Sequence, residues 1–519
     1  MTLYHTAIAD ILIQLNEKSP QKAILMEGKS AVTVHEIYKD ALQIALQLQV
    51  QGFKVGDCVA IAAPPNATFV KIMYGLIFLK ATVAIIDPEM GRDNYHAKLK
   101  QLNPKWAFVD ARLLLLQEHP ILRYLHFKKS KTAPYFPPTP TAQIIACGGW
   151  LPLFQKKIFL NNWFKKPIHL AFEWQQESLS EETAAAPHDF LITYTSGTIA
   201  EPKGVVHSFH SLLNSLKIIG NQLDTNKENL IATYLPHYML IGFSVNMPSI
   251  LYNPTLTAVE KLIFFNKHQV TTIMGPPSDF VPMIAHCEQT KTLFPTSMQH
   301  LLLGSAPVTR RFLERLCGVL PSHTRITCLY GMTENLLVAT IDGRFKKDYD
   351  CEGDLLGKPA TGVTIKIAAD EILIRSNQLF TRYFHLKERP EFHETGDLGI
   401  FDNNHLLILQ GRKKDMIIRR NFNIYPSIYE ATINRIEGIT EAVLVGVYED
   451  IIHDEKVYLI IEGAPNLDPK TIFNQLKRGI YAIDAEALPD EILFRTLPRS
   501  GRQHKVNKTM LRNLIKMEP

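Results

Sequence analysis

Between Val34 and Asp87 the chain reads VHEIYKDALQIALQLQVQGFKVGDCVAIAAPPNATFVKIMYGLIFLKATVAIID. The segment VHEIYKDALQIALQLQ spaces its apolar residues as an amphipathic helix does, Gly52 supplies a stop, and VGDCVAIAAP is the short apolar run of a buried strand. VKIMYGLIFLKAT then predicts a second helix and VAIID a second strand. Helix and strand taken in turn lay strands side by side with helices over both faces. The expectation is an α/β fold with doubly wound, mixed or parallel sheets.

Outward from this stretch, the 519 residues are three to four times the ~150 residues of an ordinary domain, so at least two cores are required. The chain is 46% apolar, 21% charged and 9% aromatic, which excludes wholesale disorder. Lys+Arg 56 less Asp+Glu 51 leaves +5, too small an excess for a globally basic nucleic-acid binder, and no nucleic-acid partner is expected. The alternation lapses from Ile121 to Phe172, a stretch with Arg123, Lys128, Lys129, Lys131, Lys156, Lys157, Lys165 and Lys166 but no acid. Two readings stand open there. It is a connecting excursion packed on the core, or a peripheral membrane contact in which Trp150, Phe154, Trp163 and Phe164 enter lipid.

The alternation resumes at Asp189 and runs to Gly411, where a charged segment precedes a smaller set of strands and helices. The expected division is a large N-terminal domain over residues 1–411 and a small, mobile α+β C-terminal domain over residues 412–519. Cys58, Cys147, Cys287, Cys317, Cys328 and Cys351 form no CxxC and read as reduced core thiols of a cytoplasmic protein. The N-terminus shows no secretory pattern, and the apolar stretch MYGLIFLKATVAII is interrupted by Lys80 and short for a span.

Leu191 to Val206 reads LITYTSGTIAEPKGVV: an apolar entry, a loop of hydroxyls and glycine, a lysine, and a second apolar strand. Thr195, Ser196 and Thr198 around Gly197 offer side-chain and backbone donors to phosphate oxygens, and Lys203 adds a point charge. The spacing is not that of a Walker loop. Taken alone, the same residues also fit a plain hairpin.

Downstream stand LLLGSAPVT (Leu301–Thr309), LYGMTEN (Leu329–Asn335), ETGDLG (Glu394–Gly399), GRKKDMIIRRNFNIYPSIYE (Gly411–Glu430) and LPRSGRQHKVNKTMLR (Leu497–Arg512). With the Thr195 loop, this ordered set resembles the adenylate-forming superfamily of acyl-CoA synthetases, luciferases and peptide-synthetase adenylation domains, over nearly the whole chain. The resemblance implies an ATP-dependent ligase that joins a hydrophobic carboxylic acid to the α-phosphate, releases pyrophosphate and passes the acyl group to CoA. Such chemistry brings two anions together and needs cations, Mg²⁺ and oriented donors.

Carried over residue by residue, the resemblance makes Thr195, Ser196, Gly197, Thr198 and Lys203 the phosphate loop, and Thr333 beside Gly331 a phosphate contact. Glu334 becomes the Mg²⁺ ligand, an oxygen donor suited to a hard cation, with a helix-capping acid as the plain alternative. Gly304, Ser305, Ala306 and Tyr330 look like the adenine slot, while Asp397 and Arg412 look like ribose contacts or else ordinary turn residues. Lys505 matches the lysine that swings over the reacting groups, against the plainer reading of a basic tail with Arg502 and Lys508. The implied hinge is Lys414.

Three departures bear on substrate and acceptor. Ile199 and Ala200 replace a threonine and glycine of the loop pattern. Met239, Ile241 and Phe243 suggest an apolar acyl pocket and equally fit plain core. Arg420 and Asn421 stand where thioester-forming members carry a glycine pair, which opens two other acceptors: an acyl carrier protein, or the substrate's own hydroxyl in a β-lactone closure. A nucleotide-binding pseudoenzyme is the rival from another class.

Overall fold

The computed structural model describes residues 1–86, 92–118, 142–148, 158–176, 188–194, 203–223, 229–384, 386, 388–419, 422–449, 454–463, 467–500 and 505–517. The opening stretch folds as its periodicity predicts. A helix over Val34–Val50 starts at a capping box in which Thr33 and Glu36 satisfy each other's backbone N–H. It buries Ile37, Ala41, Ile44 and Leu48 on one face. The next helix, Ala67–Phe78, is capped by Asn66 and is apolar and buried at every position but Thr68 and Lys71, the latter paired with Asp40 at 2.6 Å. Gly75 lets the two helices approach: a Cβ there would lie 2.9 Å from the Cβ of Ile44.

The strands between these helices, Cys58–Ala62 and Thr82–Ile85, pair in parallel within an eight-stranded sheet. That sheet continues through Asp189–Tyr194 to Gly204–Ser208, which is antiparallel, and ends on Arg382–Tyr383. A thirteen-stranded sheet stands beside it. Its parallel half holds Ile231–Thr233, Thr272–Gly275, His300–Leu303 and Arg325–Met332. Its antiparallel half runs from Asn335–Asp342 through Asp354–Pro359 and Leu407–Arg412 to His393–Phe401. The main apolar cluster contains residues of both sheets, Val83 and Val205 of the first with Leu302 and Ala339 of the second.

Beyond Gly411 the chain builds a separate three-stranded sheet from Ile439–Glu449, Asp454–Gly463 and Glu491–Phe494, with helices at Pro426–Ile433, Pro469–Lys477 and Lys508–Met517. Its interior has clusters of its own, centred on Leu444 and Leu459 on one face and Val445 and Ile460 on the other. Against the rest of the chain it is held by polar contacts. Ser427 Oγ donates to the Gln410 carbonyl at 2.6 Å, and Arg311 donates to the carbonyls of Asn434 and Ile439.

The structure bears on two alternatives left open by the sequence. Trp163 is buried in the main cluster, with Phe164 packed against it and the Lys71 ammonium 5.5 Å from the Phe164 ring, so Trp163 is a core residue and not a lipid anchor. Trp150 and Phe154 lie outside the described residues. Lys508 is not part of a free basic tail: it pairs with Glu430 at 2.6 Å, and the same carboxylate accepts the Leu444 N–H. All six cysteines are free thiols, and burial pushes Cys58 and Cys328 up to about 12. Among the described residues no helix is long and apolar enough to cross a membrane.

Candidate active site

The site forms where parallel strands of both sheets reach their carboxyl ends, the usual place for ligands in such sheets. In the larger sheet, Arg325–Met332 turns back on itself through a two-residue connection, Thr333 and Glu334, with Met332 opposite Asn335. Gly331 is obligatory there, since a Cβ would lie 2.0 Å from the Leu336 carbonyl oxygen. Glu334 therefore sits at a hairpin tip, which sets aside the plain alternative of a helix-capping acid.

That tip is held from several directions. Tyr383 donates from its hydroxyl to Glu334 Oε1 at 2.8 Å, the Phe380 N–H donates to the Glu334 carbonyl at 2.8 Å, and His207 Nε2 donates to the Thr333 carbonyl at 2.8 Å. Glu334 is only 6% exposed. Burial and the adjacent Glu334 charge raise the Tyr383 hydroxyl well above its ordinary pKa, so it stays a donor. The Lys203 ammonium lies 5.6 Å from the centre of the Tyr383 ring. Tyr383 thus touches the lysine with its ring and the carboxylate with its hydroxyl.

Three residues back along the same strand, Tyr330 begins a second cluster. Its hydroxyl donates to Asp397 Oδ2 at 2.7 Å, and Arg412 Nε donates to Asp397 Oδ1 at 3.0 Å. Asp397 and Arg412 are paired residues of neighbouring strands, and Asp397 is 5% exposed while Arg412 is half exposed. Burial first, and the Asp397 charge second, push the Tyr330 hydroxyl far up. They are not ordinary turn residues but a buried carboxylate shared by two donors. Gly304, Ser305 and Ala306 leave the end of His300–Leu303 beside this cluster. A Cβ on Gly304 would meet the Leu329 carbonyl at 3.2 Å, and Ser305 takes a left-handed φ of 66°.

At ~3.3 Å per strand residue, Tyr330 and Thr333 are ~10 Å apart, about the span from a nucleoside to its outer phosphates. Seven of the residues singled out in the sequence, Lys203, Gly304, Tyr330, Thr333, Glu334, Asp397 and Arg412, thus cluster around one strand and its turn. Thr195, Ser196, Gly197 and Thr198 lie outside the described residues, as do Ile199 and Ala200, but Tyr194 and Gly204 are paired, so the loop starts and ends beside Lys203. Lys414 falls in a short 3-10 turn over Lys413–Asp415 immediately after Arg412, next to Lys413, which pairs with the buried Glu371 at 2.9 Å. The backbone of Lys505 forms a two-residue strand opposite Ser500; its side chain, with Arg420 and Asn421, is outside the description.

Met239, Ile241 and Phe243 lie in the helix Pro236–Ser244, buried in the main cluster, and Phe243 packs on Tyr74 with ring centres 5.6 Å apart. Among the described residues, no hydrogen bond or ring contact brings them to the polar clusters described above. Two residues whose side chains hold the Thr333–Glu334 turn were not singled out in the sequence, Tyr383 and His207. The first sits in LFTRYF and the second in KGVVHS, and neither segment carries a spacing that signals a role.

Two buried carboxylates held by side-chain donors, Asp397 and Glu334, thus stand near the end of one strand of a two-sheet α/β fold, with Lys203 and Gly304 beside them. The sequence profile described as "AMP-binding enzyme" matches residues 14–384, and the chain belongs to that family. It is 24% identical to a long-chain-fatty-acid–CoA ligase of Bacillus subtilis (strain 168), covering 100% of this chain and 96% of the relative. A 2-succinylbenzoate–CoA ligase of Bacillus velezensis is 23% identical over 96% of this chain and 97% of its own length. Among solved structures, an anthranilate CoA ligase in complex with anthranoyl-AMP shares the fold with a TM-score of 0.78 at 18% identity, covering 98% and 97% of the two chains. The o-succinylbenzoate CoA synthetase of Bacillus subtilis with its acyl-adenylate gives 0.75 at 20% identity over 98% of both.

Proposed function

We propose that the protein is an AMP-forming acid–thiol ligase: it activates a hydrophobic carboxylic acid with ATP and passes the acyl group to CoA. The observation that carries this is that the strand Arg325–Met332 bears Tyr330 of the Asp397 cluster and runs straight into the Thr333–Glu334 turn, with Tyr330 and Thr333 ~10 Å apart. In the first step a carboxylate oxygen attacks the α-phosphorus, the bond from that phosphorus to the bridging oxygen breaks, and pyrophosphate leaves with the electron pair. In the second, a thiolate attacks the acyl carbon, AMP leaves, and the thiol proton passes to solvent.

Asp397 and Arg412 hold the ribose in this reading, Tyr330 and the Gly304–Ala306 shelf the base, and Lys203 with the loop from Thr195 the outer phosphates. The donor set suits Mg²⁺: Glu334 accepts from Tyr383 through Oε1 and is a hard oxygen ligand, and Mg²⁺ commonly takes one or two carboxylates and completes its shell with phosphate oxygens and water. When bound there it would offset charge on the leaving pyrophosphate. Lys505 supplies a further cation at the α-phosphate when the unit formed by residues 412–519 closes on residues 1–411 about Lys414.

The relatives act on acids as different as fatty acids and 2-succinylbenzoate, so the acid is read from a panel. Pyrophosphate release that requires both ATP and one of a series of medium-chain, long-chain and aromatic acids supports the ligase, and no release across the panel removes it. Supplying CoA, an acyl carrier protein or a β-hydroxy acid in turn, and weighing the products, identifies the acceptor.

A further inference from the structure

The Thr333–Glu334 turn is an unusual one. Two-residue hairpin connections ordinarily need left-handed φ angles to match the twist of the flanking strands. Neither Thr333 nor Glu334 is among the residues of positive φ, and the pairing slips between Tyr330 and Met332. Such a turn is not fixed by its own strands and takes its position from outside contacts.

One of those contacts crosses from the other sheet. His207 belongs to Gly204–Ser208 in the eight-stranded sheet, whereas Thr333 closes a hairpin of the thirteen-stranded one. The acceptor is a carbonyl, so the ring must carry its proton on Nε2, which leaves Nδ1 as a bare acceptor. That Nδ1 is buried without a hydrogen-bond partner among the described residues, and His207 as a whole is 3% exposed. A leucine or methionine would fill the same space with no orphaned nitrogen. The strand that carries His207 begins at Gly204, directly after Lys203, which lies four residues and ~13 Å before His207. Its imidazole therefore gauges the distance between the lysine-bearing loop and the Glu334 tip, the two halves of the phosphate site.

We propose that His207 is a positioning residue: its hydrogen bond to the Thr333 carbonyl sets the turn so that the Thr333 hydroxyl and Glu334 carboxylate meet the triphosphate in register with Lys203. The assignment rests on the ligase reading above. It deepens that reading by naming a residue that touches neither nucleotide nor acid.

The test uses the full-length chain with H207L and H207Q, an acid that the wild type accepts, pyrophosphate release at saturating ATP, AMP titration and thermal melting. A displaced turn lowers the turnover of H207L about 10- to 100-fold. AMP affinity stays at the wild-type value, because Tyr330, Asp397 and Arg412 do not touch His207. H207Q places an amide N–H at about the reach of Nε2 and recovers most of the rate. Wild-type turnover in H207L overturns the assignment. So does H207Q no better than H207L, or a joint loss of melting temperature and AMP binding in both variants, which would mark a purely structural histidine. A wild type that releases no pyrophosphate with any acid removes the ligase reading itself, and this assignment with it.

Discussion

Tyr330 and Asp397 are joined by a 2.7 Å hydrogen bond although 67 residues separate them, and Arg412 grips the other carboxylate oxygen of Asp397. A buried carboxylate with a donor on each oxygen is oriented before any ligand arrives, and its free lone pairs suit two vicinal hydroxyls. Asp397→Ala is therefore expected to weaken AMP binding by about 1–3 kcal/mol, roughly 5- to 150-fold, while Tyr330→Phe, which loses one neutral donor, costs about 1 kcal/mol. Titration calorimetry with AMP checks both, and equal losses in the two variants would contradict the division of roles.

Among the described residues, Tyr383 is the side chain that donates to the Glu334 carboxylate, at 2.8 Å. Without it the carboxylate keeps its charge but loses its bearing. Tyr383→Phe is expected to raise the Mg²⁺ concentration for half-maximal pyrophosphate release about 2- to 10-fold, the worth of one hydrogen bond, with little change in turnover at saturating metal. A magnesium titration of the variant reads this directly; a fall in turnover that excess metal does not relieve would count against it.

Lys505→Ala is expected to slow pyrophosphate release by about 10²- to 10³-fold and leave AMP affinity unchanged, since the ammonium is assigned to charge that develops during the reaction. Stopped-flow pyrophosphate detection alongside AMP titration separates the two effects. Unchanged turnover would leave Lys505 as part of a basic tail.

Phe243 is enclosed by Tyr74 and the main apolar cluster and is 1% exposed. If it serves the core, Phe243→Ala lowers stability by about 3–5 kcal/mol and leaves the relative rates across an acid panel unchanged. Urea denaturation and the panel together decide between packing and acyl recognition; a shifted acid preference at near-native stability would restore the pocket reading of Met239, Ile241 and Phe243.

The parts of the fold that were legible in the sequence are those governed by local periodicity. The helix Val34–Val50 and the strand Cys58–Ala62 follow from spacing and from Gly52, because burial of one face acts within a few residues. The site residues were legible only where several short segments occurred in a known order. Tyr383 and His207 were not, since their partners lie 49 and 126 residues away across the contact between two sheets, and no spacing rule encodes that. Glu334 was read as a functional acid from LYGMTEN, yet its place on a hairpin tip depends on Gly331 passing the Leu336 carbonyl, a contact visible only in three dimensions.

Two buried histidines give stability a sign with pH. Burial lowers His207 to about 4, and burial together with the Arg325 guanidinium, 3.0–3.2 Å from its ring nitrogens, lowers His300 to about 3. In the unfolded chain both titrate near 6.5. Between about pH 6.5 and 4 the unfolded state then binds more protons than the folded one, so stability is fully present above 6.5 and falls as the pH drops through that window. The slope is roughly 1.4 kcal/mol per pH unit for each histidine. Urea unfolding at pH 7, 6 and 5 should show this decline, and His300→Gln should flatten it by one histidine's share even though its midpoint at pH 7 also moves. An unchanged slope in that variant would mean that His300 takes up its proton equally in the folded and unfolded states, with Arg325 turned away from it.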